Sequence, residues 1–296
     1  MKHRLPRTQA TVGGVAITHP DRVVFPALRI TKLDLARFYA RVAPLMLPHV
    51  AGRPLALVRC PDGIGNGCFF QKHWTGTPPA AIDSVRILQH DGTRRRHVVI
   101  HNATGLITLA QWGVIEVHPW GCRADDSNRP DRIVFDIDPA PGVAWSSIPD
   151  AARRLRHVLN RQGLDSWVKT SGGKGLHVVV PITRRFTWDD ASAFARSIAE
   201  ELQSADPKSF ISTASKSARR GRVFIDWLRN SRGATSVAPW SPRARSRGGV
   251  SVPLSWSRLG GVTAGDHYTL ASIRLPSADP WGNLLVSRQG LPRSER

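Results

Sequence analysis

Asp136 and Asp138 close the apolar run Ile133-Val134-Phe135, and Asp226 closes a second such run, Val223-Phe224-Ile225. Alternate side chains of an extended strand share a face, so Asp136 and Asp138 project together. Two carboxylates at one strand end, with a third from another strand, form an all-oxygen donor set suited to Mg²⁺ or Mn²⁺. Two such ions, roughly 3.5–4 Å apart, could activate a primer 3′-hydroxyl and clamp a leaving pyrophosphate. An Asp-x-Asp alone is weak, because solvated turns, calcium loops and sugar-nucleotide transferases contain it. The recurrence at Asp226 strengthens it.

Between these carboxylates lies Ser171-Gly-Gly-Lys-Gly-Leu-His177. It lacks the GxxxxGK[ST] spacing of a Walker A loop, and a strand follows it where that loop requires a helix. Its glycines permit positive φ and close approach of backbone N–H groups to phosphate oxygens. Ser171 adds a hydroxyl, Lys174 a point charge and His177 a donor, which is more than an ordinary glycine turn carries. Basic runs adjoin the acids on both sides. Lys216, Arg219, Arg220 and Arg222 precede the Asp226 strand, and Arg243, Arg245 and Arg247 follow it. The planar guanidinium fork binds phosphate oxygens bidentately, which favours Arg243 and Arg245 as triphosphate ligands. Carboxylates, donor-rich turn and arginines together point to metal-dependent nucleotidyl transfer. Arg94-Arg95-Arg96 reads as a surface loop without a role. Phe69 and Phe70, next to a loop, fit either a buried core or a platform for single-stranded bases.

The elements that must position these groups are mixed. Thr31 with Asp34 opens a helix carrying Leu35, Phe38, Val42 and Leu45. Strands are expected at Leu55–Arg59, Arg86–Gln89 and His97–Ile100, then a short helix capped by Thr104 that leads to Glu116-Val117-His118. The strand Asp131–Asp138 precedes a helix over Ser147–Gln162, and Ser166–Thr170 and Leu176–Ile182 flank the glycine turn. Thr187 with Asp190 caps another helix, followed by the strand Arg222–Leu228 and a basic loop, Ser241–Gly249. This order implies an α/β or α+β fold. Residues 1–14 read as a loose basic arm, 15–285 as one domain and 286–296 as a tail.

The chain has 296 residues, with 42 Lys and Arg against 22 Asp and Glu, a net charge of +20. An excess this large implies a polyanion partner, nucleic acid above all. It argues against a sugar-nucleotide transferase, and the arginines gather on no amphipathic helix that would suit a membrane surface. Cys60, Cys68 and Cys122 form no CxxC pair and are expected as reduced thiols. No apolar stretch reaches membrane-spanning length, and the basic start lacks the apolar segment of a secretory signal, so a cytoplasmic, nucleoid-associated protein is expected.

In order along nearly the whole chain, these motifs resemble the primase–polymerase domain of bacterial DNA ligase D, within the archaeo-eukaryotic primase superfamily. The resemblance runs from Thr18-His-Pro-Asp-Arg22 to Trp281-Gly282. It includes Thr31-Lys32, Arg53-Pro54, Phe69–His73, Glu116–Trp120, Asp136–Pro139, Ser171–His177, Asp226-Trp227 and Ala238–Ser241 with Arg243 and Arg245. It implies an α+β fold of two facing β-sheet modules, helices outside and the active site in a central cleft. It makes Asp136, Asp138 and Asp226 the ligands of two Mn²⁺ or Mg²⁺ ions. Ser171, Lys174, His177 and Arg243 become contacts to an incoming NTP or dNTP, with His118 near its sugar or ordering the site. Arg22 and Lys32 would hold the 5′-phosphate of a downstream strand, Arg53 would touch DNA, and Phe69 and Phe70 would pack on template bases. Lys216 and Arg219 would belong to a basic loop engaging DNA or triphosphate. The implied function is gap filling and end extension in bacterial non-homologous end joining, with a Ku-type partner and a ligase in cis or in trans. A primase starting chains de novo and a non-catalytic DNA-end bridge are the rivals. Arg22 stands where many relatives carry Lys, and Trp240 where Tyr is common. Nothing in the sequence resembles an adenylated-lysine ligase motif.

Overall fold

The computed structural model describes residues 9–215 and 217–292, so the first eight residues of the expected arm and all of Lys216 lie outside the described residues. Gln9–Val12 is no loose arm. It forms β1, paired antiparallel with β2 (Val15–Thr18) across the two-residue turn Gly13-Gly14, both at positive φ. Glycine reaches that conformation without strain, which makes Gly-Gly a natural hairpin turn. β3 (Val23–Phe25) and β4 (Ile30–Thr31) form a second pair. Thr31 then caps α1 (Lys32–Val50): its hydroxyl accepts from Asp34 N–H at 3.2 Å, while Asp34 Oδ2 accepts from Thr31 N–H at 2.9 Å.

The first large sheet holds β5 (Leu55–Arg59), β6 (Phe69–Gln71), β7 (Asp83–Leu88) and β8 (Arg94–Val99). Its order is β6-β5-β8-β7, and β9 (Val114–Pro119) pairs with β5. Arg94–Arg96 therefore opens a strand; its side chains alternate along β8, so an exposed start reads like a loop in sequence. Between β8 and β9 lies α2 (Ala103–Gln111), packed on α1 and capped by Asn102, whose Oδ1 accepts from Gly105 N–H at 2.9 Å. The cap is Asn102 and not the expected Thr104.

The second sheet is built from β10 (Arg132–Pro139), β11 (Trp167–Thr170), β12 (Leu176–Pro181), β13 (Phe210–Ile211), β14 (Val223–Asp226) and β15 (Pro253–Leu254). They stand in the order β13-β14-β10-β12-β11-β15. Two helices, α3 (Ser147–Arg161) and α4 (Trp188–Ala205), pack on one face. That face carries Ile133, Phe135, Ile137, Val178 and Ile225, all fully buried. The alternate residues of the same strands are left for the opposite face, and there the polar side chains gather. The segment 238–251 joins the sheets: Ala238 N–H donates to Val117 O at 2.8 Å, and Thr170 Oγ1 of β11 donates to Val250 O at 3.1 Å.

Two expectations are corrected. Cys60 and Cys68 form a disulfide, with Cα atoms 4.4 Å apart, and Cys122 is free and buried. The hairpin explains it: β5 and β6 pair with Arg59 opposite Phe69, so the residues flanking that pair, Cys60 and Cys68, face each other. Of the expected tail, residues 286–292 are among the described residues, and they contact the domain. Thr183 N–H donates to Gln289 O at 2.7 Å, and Leu291 packs on the main core.

Candidate active site

Antiparallel register does most of the assembly. Asp136 on β10 stands opposite Asp226 on β14 and, on its other side, opposite His177 on β12. His177 in turn faces Lys169 on β11. Cross-strand partners share a face, so Asp226, Asp136, His177 and Lys169 form one row across four strands. Asp138 lies two residues along, opposite Phe224. All four side chains of the row are buried. Sequence reasoning missed Lys169; its signal was a lysine inside an otherwise apolar strand, Trp167-Val-Lys-Thr170.

The row is hydrogen-bonded at its basic end. Lys169 Nζ donates to Ser251 Oγ at 2.7 Å and lies 3.0 Å from His177 Nδ1. Burial drives Lys169 well below the usual lysine range; where its Nζ donates, His177 accepts at Nδ1 and carries its proton on Nε2, toward Asp136. Burial, then the nearby Lys169 charge, pushes His177 down to about 4. His177 Nε2 is 3.3 Å from Asp136 Oδ1, but without hydrogen-bond alignment, so that buried oxygen has no donor. Arg229, also missed, bridges the acidic end: Nε lies 3.2 Å from Asp226 Oδ2 and Nη2 3.5 Å from Asp136 Oδ2. Asn230 fixes the turn that carries it, pairing with Val134 N–H at 2.7 Å and Val134 O at 2.8 Å.

The carboxylates do not titrate alike. Burial acts to raise Asp136, but His177, Arg229 and Lys169 outweigh it and hold the group at about 2. Asp138 is pushed up to about 6, first by burial and then by the charges of Asp136 and Asp226. Asp226 is also raised by burial, against the pull of Arg229. Among the described residues no three such side chains already have their donor atoms gathered as a metal cage; Arg229 spans two of them instead. The donor set still fits hard divalent cations: three crowded carboxylates, one with an orphaned buried oxygen, are short of positive charge.

The glycine turn packs against this row. Gly172 has φ +65°, and a Cβ at Gly175 would stand 1.9 Å from Ile137 O, so that position is closed to any side chain. Ser171 Oγ accepts from Gly173 N–H at 3.2 Å and Gly175 N–H at 3.1 Å. These amides therefore shape the turn and are not free phosphate donors. Asp136, Asp138, Ser171, Lys174, His177, Arg219, Arg243 and Arg245 line one cleft of about 490 Å³, and Arg229 joins them. Arg219 stacks over Phe224, 3.5 Å from the ring centroid, which brings its charge beside Asp138.

Arg243 ties the cleft to the first sheet. Its Nη1 donates to Ser171 O at 2.9 Å, and its Nε lies 2.8 Å from Glu116 Oε2. Glu116 Oε2 also stands 2.8 Å from His118 Nε2, and Glu116 Oε1 accepts from Ala244 N–H at 2.7 Å. Burial alone would raise Glu116, but His118 and Arg243 draw it below the usual carboxylate range; burial lowers His118 despite Glu116. An ionised Glu116 thus orders a neutral His118 and Arg243.

The remaining predicted residues lie outside this cleft. Phe69 and Phe70 are each 47% exposed on the edge strand β6, which decides between core and platform: they are surface aromatics. Phe70 packs edge-on to His118 at 5.6 Å, and Arg59 sits 5.4 Å from the Phe69 ring. Arg22 Nη1 donates to Pro61 O at 2.6 Å and Asp62 Oδ1 at 2.8 Å, beside Lys32, whose Nζ donates to Thr18 O at 2.9 Å. Burial and then the Arg22 charge lower Lys32 to about 8. Arg53 is 2% exposed and forks onto Asp131, with both N···O distances 2.6 Å. Its fork is thus spent on a partner 78 residues away inside the protein, and the structure does not bring Arg53 to the cleft.

A carboxylate row beside a basic cleft, on an α+β scaffold, is the arrangement that nucleotidyl transfer requires. The sequence model of the family described as "LigD, primase-polymerase domain" matches residues 31–281, and the chain belongs to that family. It is 37% identical to the multifunctional non-homologous end joining protein LigD of Pseudomonas aeruginosa, over 98% of this chain and 35% of that protein. It is 35% identical to the LigD of Mycolicibacterium smegmatis, over 92% of this chain and 36% of that protein. The chain thus spans only about a third of the curated relatives it matches. Among solved structures, the polymerase domain of Mycobacterium tuberculosis ligase D in complex with DNA matches with a TM-score of 0.79 and 33% identity. That match covers 92% of this chain and 93% of the other. Among the described residues no helix is long and apolar enough to cross a membrane.

Proposed function

We propose that this chain is a template-directed nucleotidyltransferase that fills gaps and extends broken DNA ends during non-homologous end joining. One observation carries the reading: Asp136 and Asp226 are register partners, and Asp136 with Asp138 lines a cleft together with Lys174, Arg243 and Arg245. Membership of the LigD primase–polymerase family and the likeness to a polymerase domain bound to DNA support it.

In this reading Arg243, Arg245 and Lys174 take the triphosphate, and Ser171 holds the turn that brings them to it. Glu116 fixes the Arg243 fork and keeps His118 oriented below Phe70. Asp136, Asp138 and Asp226 would hold two Mn²⁺ or Mg²⁺ ions, which when bound supply Lewis acidity to the 3′-hydroxyl and neutralise leaving charge. The primer 3′-oxygen forms a bond to the α-phosphorus, and the bond from that phosphorus to the bridging oxygen breaks, releasing pyrophosphate. Phe69 and Phe70 stack on template bases at the break, and Arg22 with Lys32 takes the downstream 5′-phosphate. The reading extends to NTP or dNTP as substrate, a Ku-type end-binding partner, a ligase in cis or trans, and work in the cytoplasm at the nucleoid.

The test is extension of a recessed primer opposite a short gap, with and without the downstream 5′-phosphate, comparing rNTP with dNTP and Mn²⁺ with Mg²⁺. Extension that the 5′-phosphate stimulates is expected. Synthesis on unprimed template would favour a primase. End joining that is unchanged in Asp136→Ala, with no extension by the wild type, would favour a bridge.

A further inference from the structure

A second cavity, of about 320 Å³, opens at the other end of β10 and shares no lining residue with the cleft. Arg132 and Asp136 are four residues apart, ~13 Å along a strand, and both lie on the face of the sheet away from α3 and α4. Between them Val134, Val179 and the buried Trp281 form an apolar partition. Arg53, Arg123, Arg132, Arg184 and Arg288 line the cavity. Among the described residues only two carboxylates answer these five guanidinium groups: Asp131, and Asp125, which takes both terminal nitrogens of Arg184.

Asp131 is overdrawn. Arg53 forks onto it, Arg123 Nε donates to it at 3.3 Å, and Arg132 Nε stands 3.6 Å from it. Arg53 and Arg132 are at least nine-tenths buried, and Arg53 Nε has no hydrogen-bond partner at all. Buried charges without counter-charge are costly, so this arrangement is stabilised by an added anion. Guanidinium geometry selects the tetrahedral oxygens of phosphate. The opposite wall, with Pro181, Ile182, Leu284 and Leu285, is apolar and suits the flat body of a base.

We propose that this cavity is a phosphate-binding site for a nucleotide, separate from the catalytic cleft, with Arg53 and Arg132 as its floor and Arg123, Arg184 and Arg288 as its rim. The nucleotide is either free or part of a polynucleotide strand that runs past the domain. Both sources present the same phosphate next to a base, and the experiment separates them.

Arg243→Ala weakens the cleft and serves as background. Calorimetric titration of AMP into this protein is expected to reveal one remaining site. Adding Arg123→Gln, Arg184→Gln and Arg288→Gln, all on the partly exposed rim, is expected to weaken AMP binding at least tenfold. The control removes equal charge elsewhere, Arg86→Gln, Arg94→Gln and Arg95→Gln, and leaves AMP binding unchanged. A loss confined to AMP identifies a free nucleotide; an equal loss for a 5′-phosphorylated oligothymidylate, with a salt slope shallower by about 2, identifies a strand. The rim variant in the wild-type background keeps full primer extension at saturating DNA. Should the triple rim variant melt early, Arg288→Gln alone carries the test with an expected loss of about threefold. Unchanged affinity for both AMP and the oligonucleotide in a folded rim variant overturns the proposal, as does an equal loss in the control.

Discussion

The two ends of β10 carry opposite imbalances of charge. At one end Asp136 and Asp138 meet Asp226, and burial with mutual repulsion drives Asp138 up to about 6. At the other end Arg53, Arg123 and Arg132 share Asp131, and burial with the Arg53 charge lowers Arg132 to about 9. Neither end closes its own account. Arg229 partly supplies the acidic end, while among the described residues only Asp131 and the surface pair at Asp125 supply the basic one. A protein that only needed stability would have paired these groups or made them apolar, since buried ion pairs are poor stabilisers. The lesson is that surplus charge, held rigid by sheet register, marks where each end expects a ligand: cations at one, a phosphate at the other.

That contrast can be broken from either side. Arg53→Met keeps the stem but strips the floor of the basic end, and should cost about 3 kcal/mol of stability in denaturant unfolding. Primer extension by the folded protein at saturating DNA should stay within twofold; a large loss there would restore Arg53 as a contact to the break. Arg243→Ala removes the charged hydrogen bond to Ser171 O and the partner of Glu116. It should lower kcat/KM for the nucleotide by about 30-fold, roughly 2 kcal/mol, while gapped-DNA affinity holds. Phe69→Ala and Phe70→Ala should each weaken template binding by about 1–2 kcal/mol in fluorescence anisotropy, with little change in rate once DNA saturates.

The smallest effect sharpens the acidic end. Asp138 titrates higher in the folded protein than its ordinary 3.8, so the folded state binds that proton more tightly than the unfolded chain. Its contribution to stability is complete below about pH 4 and is lost as pH rises through about 6. Without divalent ions, Asp138→Asn should therefore be more stable than wild type by about 1 kcal/mol at pH 7. The gain should disappear near pH 4 and reverse when Mn²⁺ is added, as thermal melts at the three conditions would reveal.

What the sequence displayed and what it concealed follow from range. The capping boxes at Thr31 and Thr187 span three residues and were readable, as were the carboxylates ending β10 and β14. The β1–β2 hairpin left little to read, since Gly13-Gly14 joins two four-residue strands, Gln9-Ala-Thr-Val12 is half polar, and β2 buries one side chain. Cys60–Cys68 required knowing that β5 and β6 pair. The partners of Glu116 lie more than 120 residues away at Arg243 and Ala244, and those of Arg53 at Asp131. Arg229 looked like one more basic residue after a strand; only the register of Asp136 with Asp226 puts it between them. Phe69 and Phe70 could not be assigned without the sheet order, which leaves β6 at an edge.

Counting bound Mn²⁺ by electron paramagnetic resonance, with a non-hydrolysable nucleotide present, addresses the acidic end most directly. Wild type should hold two ions per chain, and Asp136→Asn, Asp138→Asn and Asp226→Asn should each bind them at least about tenfold more weakly, roughly 1.4 kcal/mol or more. Binding in Asp136→Asn and Asp226→Asn equal to that of wild type would contradict the account.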